Sequence, residues 1–126
     1  MFEISVEESF AAGHALREYH GKCERLHGHN YKVQLTVAGE RLDSIGLLVD
    51  FVEVKRLLHA VADRMDHQFL NEIEPFDVQN PSAENMAKYF HDEISKGLAA
   101  VPLEVPVRVA LVRVWETDTS VAVYRP

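Results

Sequence analysis

The sequence is short of several features, and each shortage excludes a class of protein. It has one cysteine among 126 residues, so no disulfide can form within the chain. No apolar stretch approaches the ~20 residues that a membrane-spanning helix needs. There is no repeat, low-complexity tract or Gly/Pro-rich linker, and the first residues carry acids instead of a basic leader. We therefore expect one domain over residues 1–126, located in the reducing cytoplasm.

Basic residues are also in the minority. The formal net charge is −7, which disfavours nucleic acids and anionic membrane surfaces as partners. The charge is uneven, because the segment 14–32 contains four basic residues and only two acidic ones. This segment can attract a small anionic molecule although the chain as a whole is acidic.

Apolar residues at every second position predict two strands near the start of the chain. The first covers residues 2–14, with a bulge expected near Glu7–Ser9. The second covers residues 27–37, where Tyr31 to Val37 alternate with polar residues. Side chains two residues apart share one face of a strand, so the pattern also defines which face of each strand is buried.

The middle of the chain shows the 3.6-residue period of two amphipathic helices. Asp50 is the predicted N-cap of the first, with Glu53 completing an acidic capping box, and this helix ends near Asp66–His67. The second begins at Ser82, just after a proline, and runs past Leu98.

Two further strands end the chain. The third begins near Val105, and its apolar parity switches before Glu116, which indicates a bulge. The last covers residues 121–124. The order β-β-α-α-β-β predicts an α+β fold with an antiparallel sheet, whose exposed edges favour a homo-oligomer joined through its sheets.

Three histidines stand out on the apolar strand faces. His27 and His29 are two residues apart and so share a face, and His14 continues the apolar face of the first strand. One such histidine is usually a satisfied core residue, but three on matching faces indicate a metal site. Three neutral imidazoles with one open position are typical of catalytic Zn²⁺.

Other reactive groups lie nearby in the sequence. Cys23 is either a small buried apolar residue or, between basic neighbours, a thiolate that acts as base or nucleophile. Asp66-His67 fits a helix terminus or a carboxylate that orients an imidazole for proton transfer. Glu116 shares the inward parity of its strand, where a ligand with two adjacent N–H groups would satisfy it.

Together these residues resemble the 6-pyruvoyltetrahydropterin synthase and 6-carboxytetrahydropterin synthase family. The resemblance spans nearly the whole chain. Its motifs are Phe10-Ala11-Ala12-Gly13-His14, Cys23, His27-Gly28-His29-Asn30-Tyr31, Val49-Asp50-Phe51, Asp66-His67, Asn80-Pro81-Ser82-Ala83-Glu84-Asn85 and Val114-Trp115-Glu116-Thr117.

The resemblance implies the tunnelling fold, in which a four-stranded antiparallel sheet carries two helices on one face. It implies a homohexamer, a dimer of trimers, with active sites between subunits. It also implies that His14, His27 and His29 bind Zn²⁺ and that the substrate is 7,8-dihydroneopterin triphosphate. By the same resemblance, the catalytic residues are Cys23 as general base with Asp66 and His67 in a proton relay, and the pterin is bound by Glu116 and Thr117.

The product differs between branches of that family. The close Cys-x3-His-Gly-His spacing is similar to that of bacterial carboxytetrahydropterin synthases of queuosine synthesis, while pyruvoyl synthases of animals tend to have a longer gap. Glu24 directly after Cys23 resembles dual-function members that also form 6-hydroxymethyl-7,8-dihydropterin for folate. A non-catalytic pterin-binding zinc module and a generic zinc hydrolase are the alternatives outside this reaction.

Overall fold

The computed structural model describes all 126 residues and contains four strands and two long helices. In chain order the elements are β1 (Phe2–His14), β2 (His27–Gly39), α1 (Phe51–Met65), α2 (Ala83–Ala99), β3 (Arg108–Thr117) and β4 (Ser120–Tyr124). The sheet has the order β1-β2-β3-β4, and every neighbouring pair is antiparallel. This confirms the predicted α+β architecture and the order β-β-α-α-β-β.

β1 and β2 pair without interruption, from Phe2 opposite Gly39 to His14 opposite His27. The bulge expected near Glu7–Ser9 is therefore absent, and that prediction was wrong. Glu8 keeps the inward parity of β1, and its carboxylate faces Nδ1 of His59 on α1 at 2.9 Å. Because α1 supplies this polar partner, the strand needs no extra residue to turn Glu8 away from the helices.

The two helices cover one face of the sheet and enclose a single core. α1 lies against β1, and α2 lies against β3 and β4. Even-numbered residues of β1 and odd-numbered residues of β2 point into this core, which includes Phe10, Tyr31 and Val33. The same alternation carries His14, His27 and His29 to one end of the core face.

β3 departs from regular pairing at two places. Ala110 has no partner on β2, because its neighbours Val109 and Leu111 pair with the adjacent residues Val37 and Thr36. Glu116 likewise has no partner on β4, where Val121 and Ser120 pair with the residues on either side of it. The first irregularity explains the switch of apolar parity along this strand. β3 begins at Arg108, so the segment near Val105 predicted as its start precedes the strand.

The outer edge of β1 is covered only in its second half. The Asp66 carboxylate accepts a hydrogen bond from the Ala11 N–H (3.1 Å), and the His67 N–H donates to the Ala11 carbonyl (2.6 Å). The Gly13 N–H donates to the Gln68 carbonyl at 3.0 Å. The first half of β1 and the outer edge of β4 have no strand partner in the chain. Neither helix is long and apolar enough to cross a membrane.

Both helix starts agree with their predicted caps, except in one detail. The Asp50 carboxylate accepts from the Val52 N–H at 2.8 Å, and the Ser82 hydroxyl accepts from the Asn85 N–H at 3.1 Å. The Glu53 carboxylate makes no bond back to the Asp50 N–H; it pairs with Arg56 one turn along the helix. The reciprocal half of the predicted capping box is therefore wrong.

This difference gives a prediction for α1. We expect Asp50→Ala to lower the free energy of unfolding by about 1 kcal/mol, because the first turn loses its acceptor. Glu53→Ala should cost clearly less than Asp50→Ala, since it removes only an exposed pair. Urea unfolding of both variants measures the difference. Equal losses would mean that Glu53 also caps the helix in solution.

Candidate metal centre

The three predicted histidines converge at the end of the β1–β2 hairpin. His14 is the last residue of β1 and lies directly opposite His27, the first residue of β2. His29 follows on the same face of β2, and the three ring centroids are 4.5 to 5.0 Å apart. Strand register alone therefore brings the imidazoles of two strands together.

Glu116 supplies the fourth side chain of this cluster. One ligand atom from each of the four residues lies within 4.8 Å of the others. The Glu116 carboxylate is 2.8 Å from Nε2 of His29 and 3.5 Å from Nε2 of His14. Glu116 is the skipped residue of the β3–β4 pairing, and such irregularities re-aim a side chain at the end of a strand.

Backbone carbonyls determine which ring nitrogens face the centre. Nδ1 of His14 lies 2.7 Å from the Pro81 carbonyl oxygen, and Nδ1 of His27 lies 2.7 Å from the Arg25 carbonyl oxygen. A carbonyl can only accept, so each Nδ1 carries a proton, and each neutral ring presents the lone pair of Nε2. These two Nε2 atoms are 2.9 Å apart. Two facing lone pairs at this distance repel each other unless they share a cation.

His29 leads to the same conclusion. Its Nε2 is buried, and although the Glu116 carboxylate is close, the geometry leaves this nitrogen without a hydrogen-bond partner. Burial lowers the pKa of His29, and the nearby Glu116 charge only partly opposes this effect. Burial likewise lowers the pKa of His14, which is completely shielded from solvent. Both rings are thus held in the neutral form that binds metals.

The donor set suits one kind of ion. Three imidazole nitrogens and one carboxylate oxygen are typical ligands of Zn²⁺ and similar transition metals, whereas Mg²⁺ and Ca²⁺ prefer oxygen ligands throughout. An unpartnered buried nitrogen and two facing lone pairs are what a bound cation would satisfy. The residues present therefore fit a metal ion of this class.

Two predicted site residues lie outside the cluster, in the loop between β1 and β2. Cys23 is half-buried in a 3-10 turn, and its carbonyl accepts from the Leu16 N–H at 2.7 Å. Its sulfur is not among the gathered ligand atoms. The Glu24 carboxylate accepts from the His20 N–H at 2.7 Å and so stabilises its own loop.

Asp66 and His67 form a pair at the covered edge of β1. Their side chains meet at 3.0 Å, and the hydrogen bond from the Ala11 N–H is the main reason that the pKa of Asp66 is lowered. The His67 ring is 82% exposed and borders a shallow cleft of about 420 Å³. The same cleft is lined by Gly13 and Gly28 and by His29, so it runs from the exposed ring to one member of the cluster. His67 borders the cluster through this cleft, but its ring is not among the gathered ligand atoms.

Thr117 is placed differently from Glu116. Its hydroxyl accepts from the Thr119 N–H at 3.3 Å, so it stabilises the β3–β4 turn. The sequence reasoning also missed groups that orient the histidines, namely the carbonyls of Pro81 and Arg25 and the Tyr31 hydroxyl, 3.0 Å from Nδ1 of His14. Carbonyls leave no trace in a sequence pattern, although Tyr31 shares the parity of His27 and His29.

Comparison with known proteins agrees with this geometry along the whole chain. Residues 3–126 match the family described as 6-pyruvoyl tetrahydropterin synthase. The 6-carboxy-5,6,7,8-tetrahydropterin synthase of Bacillus subtilis is 39% identical, over 99% of this chain and 86% of the relative. The human 6-pyruvoyl tetrahydrobiopterin synthase is 33% identical, over 98% of this chain and 90% of the relative.

A solved structure shows the same fold. The Caenorhabditis elegans 6-pyruvoyl tetrahydropterin synthase superposes with a TM-score of 0.85 at 27% identity, covering 99% of this chain and 95% of that chain. The family match and the full-length relatives agree with the four-stranded sheet, its two helices and the resemblance carried by the motifs. The chain therefore belongs to the 6-pyruvoyl tetrahydropterin synthase family.

Proposed function

We propose that this protein is a zinc-dependent lyase that converts 7,8-dihydroneopterin triphosphate and one water molecule to 6-carboxy-5,6,7,8-tetrahydropterin, triphosphate and acetaldehyde. The observation that carries the proposal is the convergence of His14, His27, His29 and Glu116 within 4.8 Å. Bound Zn²⁺ would supply Lewis-acid chemistry, making the hydroxyl groups of a substrate side chain more acidic. The three imidazoles would hold it, with Nε2 of His14 and His27 directed by the carbonyls behind them.

Glu116 has two possible uses, and we favour one of them. Its carboxylate can serve as a fourth ligand, or it can accept two N–H groups of a pterin ring. The second use is consistent with its exposure, since about a quarter of the side chain remains open to solvent. In this proposal it recognises the pterin, and its position against His29 places the ring next to the metal. Thr117 follows it at the rim of the site.

The remaining catalytic roles involve residues outside the cluster. Cys23 would be the general base, and Asp66 with His67 would relay protons. The His67 ring is exposed at a sheet edge, so it can reach a site on another subunit. We therefore propose a homohexamer, a dimer of trimers, with active sites between subunits. The unpaired edges of β1 and β4 leave room for strand pairing between copies.

The proposed product follows from the names of the relatives and from Glu24. The Bacillus subtilis relative, named a 6-carboxy-5,6,7,8-tetrahydropterin synthase, supports the carboxylated product. The proposed role in the queuosine pathway rests on the resemblance of the Cys-x3-His-Gly-His spacing. The human relative, named a pyruvoyl synthase, supports 6-pyruvoyltetrahydropterin as the alternative. Glu24 next to Cys23 supports a dual-function enzyme that also forms 6-hydroxymethyl-7,8-dihydropterin. A non-catalytic zinc module that only binds pterins would not need Cys23, Asp66 or His67.

The metal proposal predicts a thermal effect. Zn²⁺ added to chelator-treated protein should raise the melting temperature, because binding to the folded state alone stabilises it by about 4 kcal/mol at a thousandfold excess over Kd. His29→Ala, which removes a candidate ligand, should weaken Zn²⁺ binding by more than the ~10- to 100-fold typical of residues that only orient ligands. His59→Ala, which changes a histidine on α1, should leave Zn²⁺ binding unchanged.

The pH dependence of Zn²⁺ binding adds a second test. Because burial lowers the pKa of His14 and His29, both stay neutral below the ordinary imidazole pKa of about 6.5. Binding should therefore persist as the pH falls through that value and weaken only at lower pH. If neither Zn²⁺ nor a chelator changes the melting temperature at any pH, the proposed metal centre is contradicted.

The lyase proposal predicts a separation of metal binding from turnover. Cys23→Ala should reduce turnover of 7,8-dihydroneopterin triphosphate by about 10²- to 10⁴-fold, the usual contribution of a general base. Its Zn²⁺ affinity should be unchanged, because Cys23 lies outside the cluster. Mass spectrometry of the products, on zinc-replete protein, measures both rate and identity. If neither wild type nor variant consumes the substrate while both bind pterin and Zn²⁺, the chain is a binding module.

Glu24 is tested through the product ratio. If it deprotonates a different substrate atom from Cys23, Glu24→Ala should abolish the hydroxymethyl product and spare the carboxylated one. Glu18→Ala, in the same loop, is the matched control. Equal loss of both products in Glu24→Ala would instead reflect the structural bond that Glu24 makes to the His20 N–H.

A further inference from the structure

The chain beyond His14 is held by three polar side chains, which we call the Arg17 clasp: Arg17, Asn71 and Asn80. Regular pairing of β1 with β2 ends at His14 opposite His27. Residues 15–17 nevertheless run beside the segment 71–80, to which they are hydrogen-bonded. The clasp supplies the hydrogen bonds that a neighbouring strand would otherwise give.

Two asparagines provide this pairing with their side-chain amides. Asn71 accepts from the Ala15 N–H at 2.9 Å and donates to the Ala15 carbonyl at 2.8 Å. Asn80 accepts from the Arg17 N–H at 2.8 Å and donates to the Arg17 carbonyl at 3.0 Å. Each amide thus satisfies both backbone groups of one residue, as a strand neighbour does.

The Arg17 side chain closes the clasp. Its guanidinium donates to the carbonyls of Gln79 at 3.0 Å and Phe76 at 2.8 Å, with longer contacts to Asp77 and Asn71. All these acceptors lie in the segment 71–79. A planar group with five donors can bind several carbonyls at once, which the single ammonium of lysine does less well.

The clasp holds the backbone next to both partners of one hydrogen bond in the metal centre. Nδ1 of His14 donates to the Pro81 carbonyl at 2.7 Å. Asn71 fixes the backbone at Ala15, next to His14, and Asn80 immediately precedes Pro81. The direction in which His14 presents Nε2 therefore depends on the clasp, although none of its side chains touches the cluster.

Residues 15–17 are also hydrogen-bonded to the loop that contains Cys23. The N–H groups of Ala15 and Arg17 bind the two asparagines, but the Leu16 N–H between them has a different partner. It donates to the Cys23 carbonyl at 2.7 Å. One short segment thus connects the clasp, the first metal ligand and the loop that carries the thiol.

We propose that Arg17, Asn71 and Asn80 are positioning residues, which hold His14 and the Cys23 loop in the arrangement that the metal centre and its chemistry require. The inference rests on the proposed function, because it assigns His14 to a metal and Cys23 to the reaction. It adds residues that act through others and never contact the substrate.

The test measures Zn²⁺ affinity and Cys23 reactivity in Arg17→Lys and Asn80→Ala. We expect affinity to fall about 10- to 100-fold, as for other groups that orient metal ligands. We also expect alkylation of Cys23 by iodoacetamide, in metal-free protein, to become several-fold faster because the loop loosens. Arg17→Lys keeps the charge, so an electrostatic explanation would predict no change.

Two controls separate positioning from general stability. Arg41→Lys makes the same exchange on the surface and should alter neither quantity. Leu57→Ala removes a core side chain that packs near Gly97 of α2, and it should lower the melting temperature without changing Zn²⁺ affinity or alkylation. All measurements are made on folded protein, well below the melting temperature of the weakest variant.

Two results would overturn the inference. One is wild-type affinity and wild-type alkylation in both clasp variants. The other is a loss of affinity that Leu57→Ala reproduces at an equal loss of melting temperature. If wild-type protein binds no Zn²⁺, the proposed function is refuted. In that case, alkylation of Cys23 at the wild-type rate in Arg17→Lys and Asn80→Ala would by itself refute the positioning role of the clasp.

Discussion

The site depends on two imidazoles placed face to face across a strand pair. His14 and His27 are direct partners in an uninterrupted hairpin, and the carbonyls behind them force both Nε2 lone pairs into the same space, 2.9 Å apart. Such an arrangement is unfavourable without a shared cation. A sheet that slipped by one residue would turn one ring to the opposite face, so the regularity of β1–β2 pairing is itself a requirement of the site.

The rest of the fold serves to complete and protect this arrangement. An irregularity at the end of β3 directs Glu116 to the cluster, and burial of His14 keeps its imidazole neutral. The β1 edge nearest the site is covered by Asp66 to Gln68, whereas the far half stays unpaired. The covered end carries the candidate chemistry, and the bare end is where pairing between copies can occur without disturbing it.

Within one chain, the histidine cluster, His67 and Cys23 lie apart from one another. The side chains that could bind a metal gather on the helix-covered face, while His67 is exposed at the strand edge and Cys23 stays in its loop. A single chain therefore brings together the candidate metal ligands but keeps Cys23 and His67 apart from them. This distribution is consistent with a reaction that needs neighbouring subunits, and it makes the position of the β1–β2 loop important for activity.

The sequence alone determined the strands, both helices, their order and the shared face of the three histidines, because alternation with period two and the helical period are local properties. It also indicated that Glu116 points inward. Only the tertiary structure decided that Glu8 needs no bulge, since its partner His59 comes from α1. The same holds for the carbonyls that orient the imidazoles and for the Arg17 clasp. The Arg25 carbonyl is only two residues from His27, but the other contacts join residues more than 50 positions apart, such as Arg17 and Asn80. No local pattern of the sequence encodes such contacts.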